Sequence, residues 1–173
     1  MLDTQGPTTS AAIDQIMAEV NALDFTMVKQ KLMDEEEGQG WCQEYTDHVE
    51  KRYRRYLGMV RAQPNGSVVP TRDIDLFWHQ HILDTRAYSA DCDRVFGYFL
   101  HHFPYLGMRG PDDAAELVNR FEETKVAYAH LFGEDYCAEF EDGGDASRGH
   151  KCSSKCHKCQ SGCGMKCTRC TSR

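Results

Sequence analysis

Trp41-Cys42-Gln43-Glu44-Tyr45-Thr46-Asp47-His48-Val49-Glu50-Lys51-Arg52-Tyr53-Arg54-Arg55-Tyr56-Leu57-Gly58-Met59-Val60 decides the fold class. Trp41, Tyr45, Val49, Tyr53, Tyr56, Leu57 and Val60 return every three or four residues, the period of a helix that buries one face. Pro64-Asn65-Gly66 ends the run, since proline cannot continue the ladder and Asn-Gly favours a turn. One long helix is predicted from Trp41.

The same period extends in both directions. Upstream, Ile13, Ile16, Met17, Val20 and Leu23 form one helical stripe, and Phe25, Val28, Leu32 and Met33 form a second, shorter one. The acidic run Asp34-Glu35-Glu36-Glu37 reads as a solvated face before the break Gly38-Gln39-Gly40. Downstream, Thr71 is placed to N-cap a helix through Leu83. Asp84-Thr85 opens another, whose Tyr88, Cys92, Val95, Phe96, Phe99 and Phe103 carry it to Pro104. Pro111, followed by Asp112 and Asp113, starts a last helix with Leu117, Phe121, Tyr128, Leu131 and Phe132. No segment alternates over enough residues to make a sheet. The expectation is an all-α domain of about five or six helices over residues 1–140, with a linker and tail over 141–173.

Within the helical part, Asp73-Ile74-Asp75-Leu76-Phe77-Trp78-His79-Gln80-His81-Ile82-Leu83-Asp84-Thr85 sets ionisable groups in an apolar stretch. Asp75 and His79 stand four apart and share a face, whereas His81 is turned about 200° from His79 at the 100° helical step, so His81 joins His79 as a metal ligand only if the helix unwinds locally. Asp75, His79 and one of His101 or His102 have the two-histidine, one-carboxylate composition of a non-haem iron or open zinc site, to which Cys92 could add sulfur. On a straight helix Asp91 and His102 would lie about 16 Å apart, so any meeting requires the helices to cross. The competing reading is structural: an aspartate and histidine four apart also hold helix junctions together, and a histidine beside tryptophan in a core is commonly a satisfied one. Cys42, Cys92 and Cys137 read as ordinary half-buried thiols.

Six further cysteines fall in the last 22 residues, Cys152, Cys156, Cys159, Cys163, Cys167 and Cys170, with His150 and His157 among them. This segment has no apolar run, so it is expected to be disordered unless an ion orders it. Its two C-x2-C pairs are seven residues apart, closer than in a zinc ribbon, which favours one tetrahedral thiolate site or a small cluster holding Zn or Cu. An iron-sulfur cluster is allowed by count, although the usual ferredoxin run is missing. A redox or disulfide role and a disordered tail with incidental thiols are the alternatives.

Charge separates the two parts. From Arg148 onward there are seven Lys or Arg and no Asp or Glu, leaving 13 basic against 27 acidic residues before it. A basic end prompts a nucleic-acid reading, but this one has no aromatic ring for base stacking, and its cations offset thiolates instead. The first residues show neither a basic start nor an apolar core, and no stretch is long and apolar enough to span a bilayer. A cytoplasmic location follows as the expectation, where thiols stay reduced and nine cysteines favour metal over disulfides.

The string Asp75 to Thr85, followed by Tyr88, Asp91-Cys92 and Gly97, resembles the glycine-rich domain-containing protein family, a domain of unknown function in its plant and fungal members. Asp24-Phe25, Lys31-Leu32-Met33-Asp34, Gly38-Gln39-Gly40-Trp41 and the run from Phe96 to Pro104 resemble its short bacterial forms. The resemblance covers about residues 20–135 and implies that Asp75, His79, His81, Tyr88, Asp91 and Cys92 form the motif's centre. It implies no reaction. The family's glycine-rich extension is replaced here by the cysteine-rich end.

These readings lead to a metal-binding protein whose tail takes Zn or Cu and whose body holds either a mixed His/carboxylate site for Fe or Zn or a purely structural polar cluster. Two alternatives remain open: a metal-dependent oxidative or hydrolytic enzyme, with the tail as a peptide substrate, and a non-catalytic scaffold for a protein partner.

Overall fold

The computed structural model describes residues 10–64, 66–138 and 140. Among them are six helices and no strand: α1 (Ser10–Asn21), α2 (Thr26–Met33), α3 (Gln43–Ala62), α4 (Arg72–Leu83), α5 (Thr85–Val95) and α6 (Pro111–Phe132). The all-α expectation holds. The tail residues His150, Cys152, Cys156, His157, Cys159, Cys163, Cys167 and Cys170 lie outside the described residues.

α3 is the axis of the fold, packed by α1, α2 and α4. Its stripe Val49, Tyr53, Tyr56 and Leu57 is buried, as the three-to-four spacing requires. Gly58 lets α1 approach closely: a Cβ there would sit 2.5 Å from Met17 Sδ. Arg54 fastens the end of α1 to α3, donating from Nη1 to Val20 O at 2.7 Å and from Nη2 to Leu23 O at 3.0 Å, with its guanidinium over the Phe25 ring. Those carbonyls belong to a helix end whose acceptors need partners.

A second arginine joins the other end of the core. Arg52 is nearly buried, paired with Asp73 and donating to Thr71 Oγ1 at 3.1 Å and Tyr136 O at 2.7 Å. Thr71 is the residue before α4, as expected, yet its hydroxyl does not cap the helix. It donates to the Asp73 carboxylate while accepting from Arg52, so the Arg52 network has taken the group that a cap would use.

The expected helix from Asp84 to Phe103 is not observed. α5 starts as expected, with Asp84 Oδ1 accepting from Ala87 N, but ends at Val95. Gly97 adopts φ +72°, and its N–H reaches back to Cys92 O at 3.2 Å and Asp93 O at 3.1 Å. This left-handed glycine closes the helix, and the chain over residues 98–103 runs without helix. Phe99 and Phe103 continue the helical spacing in sequence but are 43% and 54% exposed, so no buried stripe exists there to hold a helix.

Candidate metal centre

The early end of α5 sends residues 98–103 back against α4. Asp75 and His79, one turn apart on α4, present side chains that are 32% and 45% exposed, and His102 arrives from the returning segment. His102 Nε2 donates to Asp75 Oδ1 at 2.9 Å. His79 Nε2 lies 3.1 Å from His102 Nε2 and 3.6 Å from Asp75 Oδ1. Among the described residues this is the group of three His, Cys, Asp or Glu side chains whose ligand atoms converge, all within 4.8 Å of one another.

Two buried aromatic residues set the position of His102. The Trp78 ring packs at 4.6 Å and 67° against the imidazole. Trp78 Nε1 donates to Tyr88 Oη at 2.9 Å, and Tyr88 in turn donates to Leu100 O, two residues before His102. The returning segment is thus tied to the α4–α5 pair by its backbone. Burial pushes the Tyr88 phenol well above its ordinary value, so it remains a donor across the working pH range.

His81 serves a different construction. It is 2% exposed, on the inward face of α4, as its angular offset from His79 requires. Tyr53, fully buried and held protonated by burial, donates to His81 Nδ1 at 2.9 Å, and His81 Nε2 donates to Asp91 Oδ2 at 3.0 Å. A neutral imidazole satisfies both contacts. Burial lowers the His81 pKa, although Asp91 opposes the shift. With both nitrogens engaged, His81 has no lone pair left for an ion, and Tyr53–His81–Asp91 is a hydrogen-bonded core chain.

The remaining sequence candidates separate clearly. His101 is exposed, with its ring on Phe99 at 4.9 Å, outside the converging group. Of the pair His101 and His102, the second meets Asp75 and His79. Cys92 is buried, and burial raises its thiol pKa, so it is not poised as a thiolate; it too lies outside the group. Cys42 and Cys137 are half-buried cysteines, as expected. Sequence reasoning missed Tyr53 and Trp78. Tyr53 belongs to the apolar stripe of α3 and carries no local sign of its His81 contact, whereas Gly97 is an available stop signal for α5, and with it for the return of His102, that the helical spacing of Phe99 and Phe103 overrides.

A family model described as UCP032817-like matches residues 17–127. Glycine-rich domain-containing protein 2 and glycine-rich domain-containing protein 1 of Arabidopsis thaliana are each 30% identical to this chain over 89 residues, 49% of its length. The chain spans 11% of the length of each of these relatives. No solved structure matches. The matched stretch takes in Asp75, His79 and His102 as well as the buried Tyr53–His81–Asp91 chain, and over this stretch the protein belongs to the UCP032817-like family.

Proposed function

We propose that this is a metal-binding protein whose helical body holds a divalent transition-metal ion on Asp75, His79 and His102. The observation that carries the reading is the spacing of the three ligand atoms. Separations of 2.9, 3.1 and 3.6 Å place their common centre about 1.9 Å from each atom, and an ion with bonds of about 2.1 Å would stand about 0.9 Å above their plane. Such an ion has all three protein ligands on one side and open positions on the other. Two imidazoles and one carboxylate suit Zn or Fe(II), the second in the facial arrangement of non-haem iron proteins.

The crowding supports the same reading from another direction. Two imidazole nitrogens and a carboxylate oxygen converge on one point, and a cation placed there would meet all three donors at once. The cysteine-rich tail takes a thiophilic ion, Zn or Cu, in a cytoplasmic setting that keeps its thiols reduced. The open positions on the body ion favour, as a second reading, metal-dependent oxidative or hydrolytic chemistry at that centre.

Elemental analysis of the full chain and of His79→Ala tests the body site. The full chain carries one more equivalent of metal than the variant. Equal metal content in the two proteins, both folded, would end the proposal.

A further inference from the structure

Five tyrosines are buried in the helical body, and four of their hydroxyls are engaged. Tyr53 donates to His81, Tyr88 to Leu100 O and Tyr136 to Val69 O, while Tyr128 accepts from Arg55. Tyr56 on α3 is the exception. It is 2% exposed, yet no described residue exchanges a hydrogen bond with its hydroxyl. Buried phenols ordinarily have a partner. Among the described residues Arg52 Nε is the buried side-chain polar atom sealed off without one, so the Tyr56 hydroxyl keeps a contact with solvent through which a water molecule can reach it.

Tyr56 stands behind the proposed metal centre. Its ring lies 5.4 Å from that of Trp78, and Trp78 packs at 4.6 Å against the His102 imidazole. Asp75 precedes Trp78 by about one turn of α4. Burial first, then Tyr136 and Asp75, push the Tyr56 phenol well above its ordinary value; Asp75 is the carboxylate whose charge reaches it, and the hydroxyl keeps its proton.

Asp75 has a matching need. Its Oδ1 accepts from His102 and faces His79, while no described residue donates to its Oδ2. An ion on His102 Nε2 takes that nitrogen's lone pair, the imidazole proton moving to Nδ1, and the carboxylate loses the one side-chain donor it has. Carboxylates that bind metals are held by outer hydrogen bonds. Resting on the metal reading above, we infer that Tyr56 is a positioning residue of this centre, whose hydroxyl donates through one water molecule to Asp75 Oδ2 and holds Oδ1 toward the ion. An uncharged donor steadies the carboxylate without repelling the cation.

The test uses full-length chains with Ser at all six tail cysteines, so that bound zinc reports on the body. Tyr56→Phe removes the hydroxyl and keeps the ring on Trp78. Zinc affinity is expected to fall about 10–100-fold, the range for outer partners of metal ligands. Without metal, this variant is expected to unfold at no lower urea concentration than its parent, because no described residue loses a hydrogen bond. A packing contact predicts the opposite pair of results. A second chain carries 3-fluorotyrosine at position 56 alone, which retains the hydroxyl. Its zinc affinity is expected to stay within about threefold of the parent's, and its single fluorine resonance to shift with one equivalent of zinc, a shift that His79→Ala removes. Unchanged affinity in Tyr56→Phe, or a fluorine resonance that zinc does not move, overturns the role of Tyr56 and leaves the body site standing. A parent chain that takes up no zinc overturns both.

Discussion

His79 Nε2 and His102 Nε2 lie 3.1 Å apart although 23 residues separate them in the chain. Their meeting depends on α5 ending early, on the Tyr88 tether to Leu100 and on the Trp78 ring behind His102. Each of these dependences has a measurable consequence.

His79→Ala or His102→Ala removes one of the three ligands proposed for a body ion. Loss of a supporting contact behind a ligand commonly costs about 10–100-fold in metal affinity, so loss of the ligand itself should exceed about 100-fold. The His79 side chain is 45% exposed, and its removal should change unfolding free energy by no more than about 0.5 kcal/mol. Zinc titration alongside urea denaturation checks both values. A large loss of stability with unchanged zinc affinity would make the cluster a helix junction.

Tyr53→Phe should behave in the reverse way. It leaves His81 Nδ1 without its donor in a fully buried place, at a cost of about 1–3 kcal/mol in unfolding free energy. Zinc affinity at Asp75, His79 and His102 should stay within about threefold, because Tyr53 touches none of them directly. A selective loss of zinc in this variant would mean that the buried chain belongs to the metal site.

Tyr88→Phe combines the two effects. It removes the acceptor for Trp78 Nε1 and the donor to Leu100 O, and so loosens the segment that carries His102. Zinc affinity should fall about 10–100-fold, the range for second-layer partners of metal ligands. The contrast with Tyr53→Phe is the control, since both lose a buried phenol oxygen but only Tyr88 holds the backbone near His102.

How far the sequence carries this picture can be followed residue by residue. The helices are legible because α3 and its neighbours bury a stripe at three-to-four spacing, and Asp75 with His79 is legible because four residues make one helical turn. His102 is not placed by the same reasoning. Phe96, Phe99 and Phe103 prolong the helical period past Val95, and the single residue that contradicts it, Gly97, acts through backbone conformation rather than hydrophobicity. The inward role of His81 follows from its offset to His79, but its partner Tyr53 lies 28 residues away on α3 and becomes visible only once α3 and α4 are packed.

Acid stability should carry the mark of Glu134. The carboxylate receives Arg55, and then Lys51, which together tie α3 to the turn after α6, and its pKa falls from 4.5 to about 2. A carboxyl with a depressed folded pKa stabilises above its unfolded value and loses that contribution as pH falls toward the folded one. The loss therefore spans about pH 4.5 to about 2. Glu134 is 48% exposed, so solvent screening limits the contribution to about 1 kcal/mol or less. Glu134→Gln should flatten this limb of the stability profile and leave the pH 7 fold unchanged. An identical acid limb in both proteins would assign it to other carboxylates.

Gly97→Ala tests the turn that brings the site together. Nothing lies within 4 Å of a Cβ built at Gly97, so the substitution meets no neighbour, and its whole cost comes from holding an L-residue at φ +72°. That conformation costs about 1–2 kcal/mol for a residue with a Cβ. The chain can relieve the strain by continuing α5 into residues 98–103, the helix that the spacing of Phe99 and Phe103 favours, and doing so would carry His102 away from Asp75 and His79. Unfolding free energy should therefore drop by up to about 2 kcal/mol, with zinc affinity falling and helical circular dichroism rising in the same protein. Gly97→Asn, which tolerates the left-handed region better, should recover part of the affinity. If zinc affinity were unchanged in Gly97→Ala while stability fell, the position of His102 would be fixed by Trp78 and Tyr88 alone.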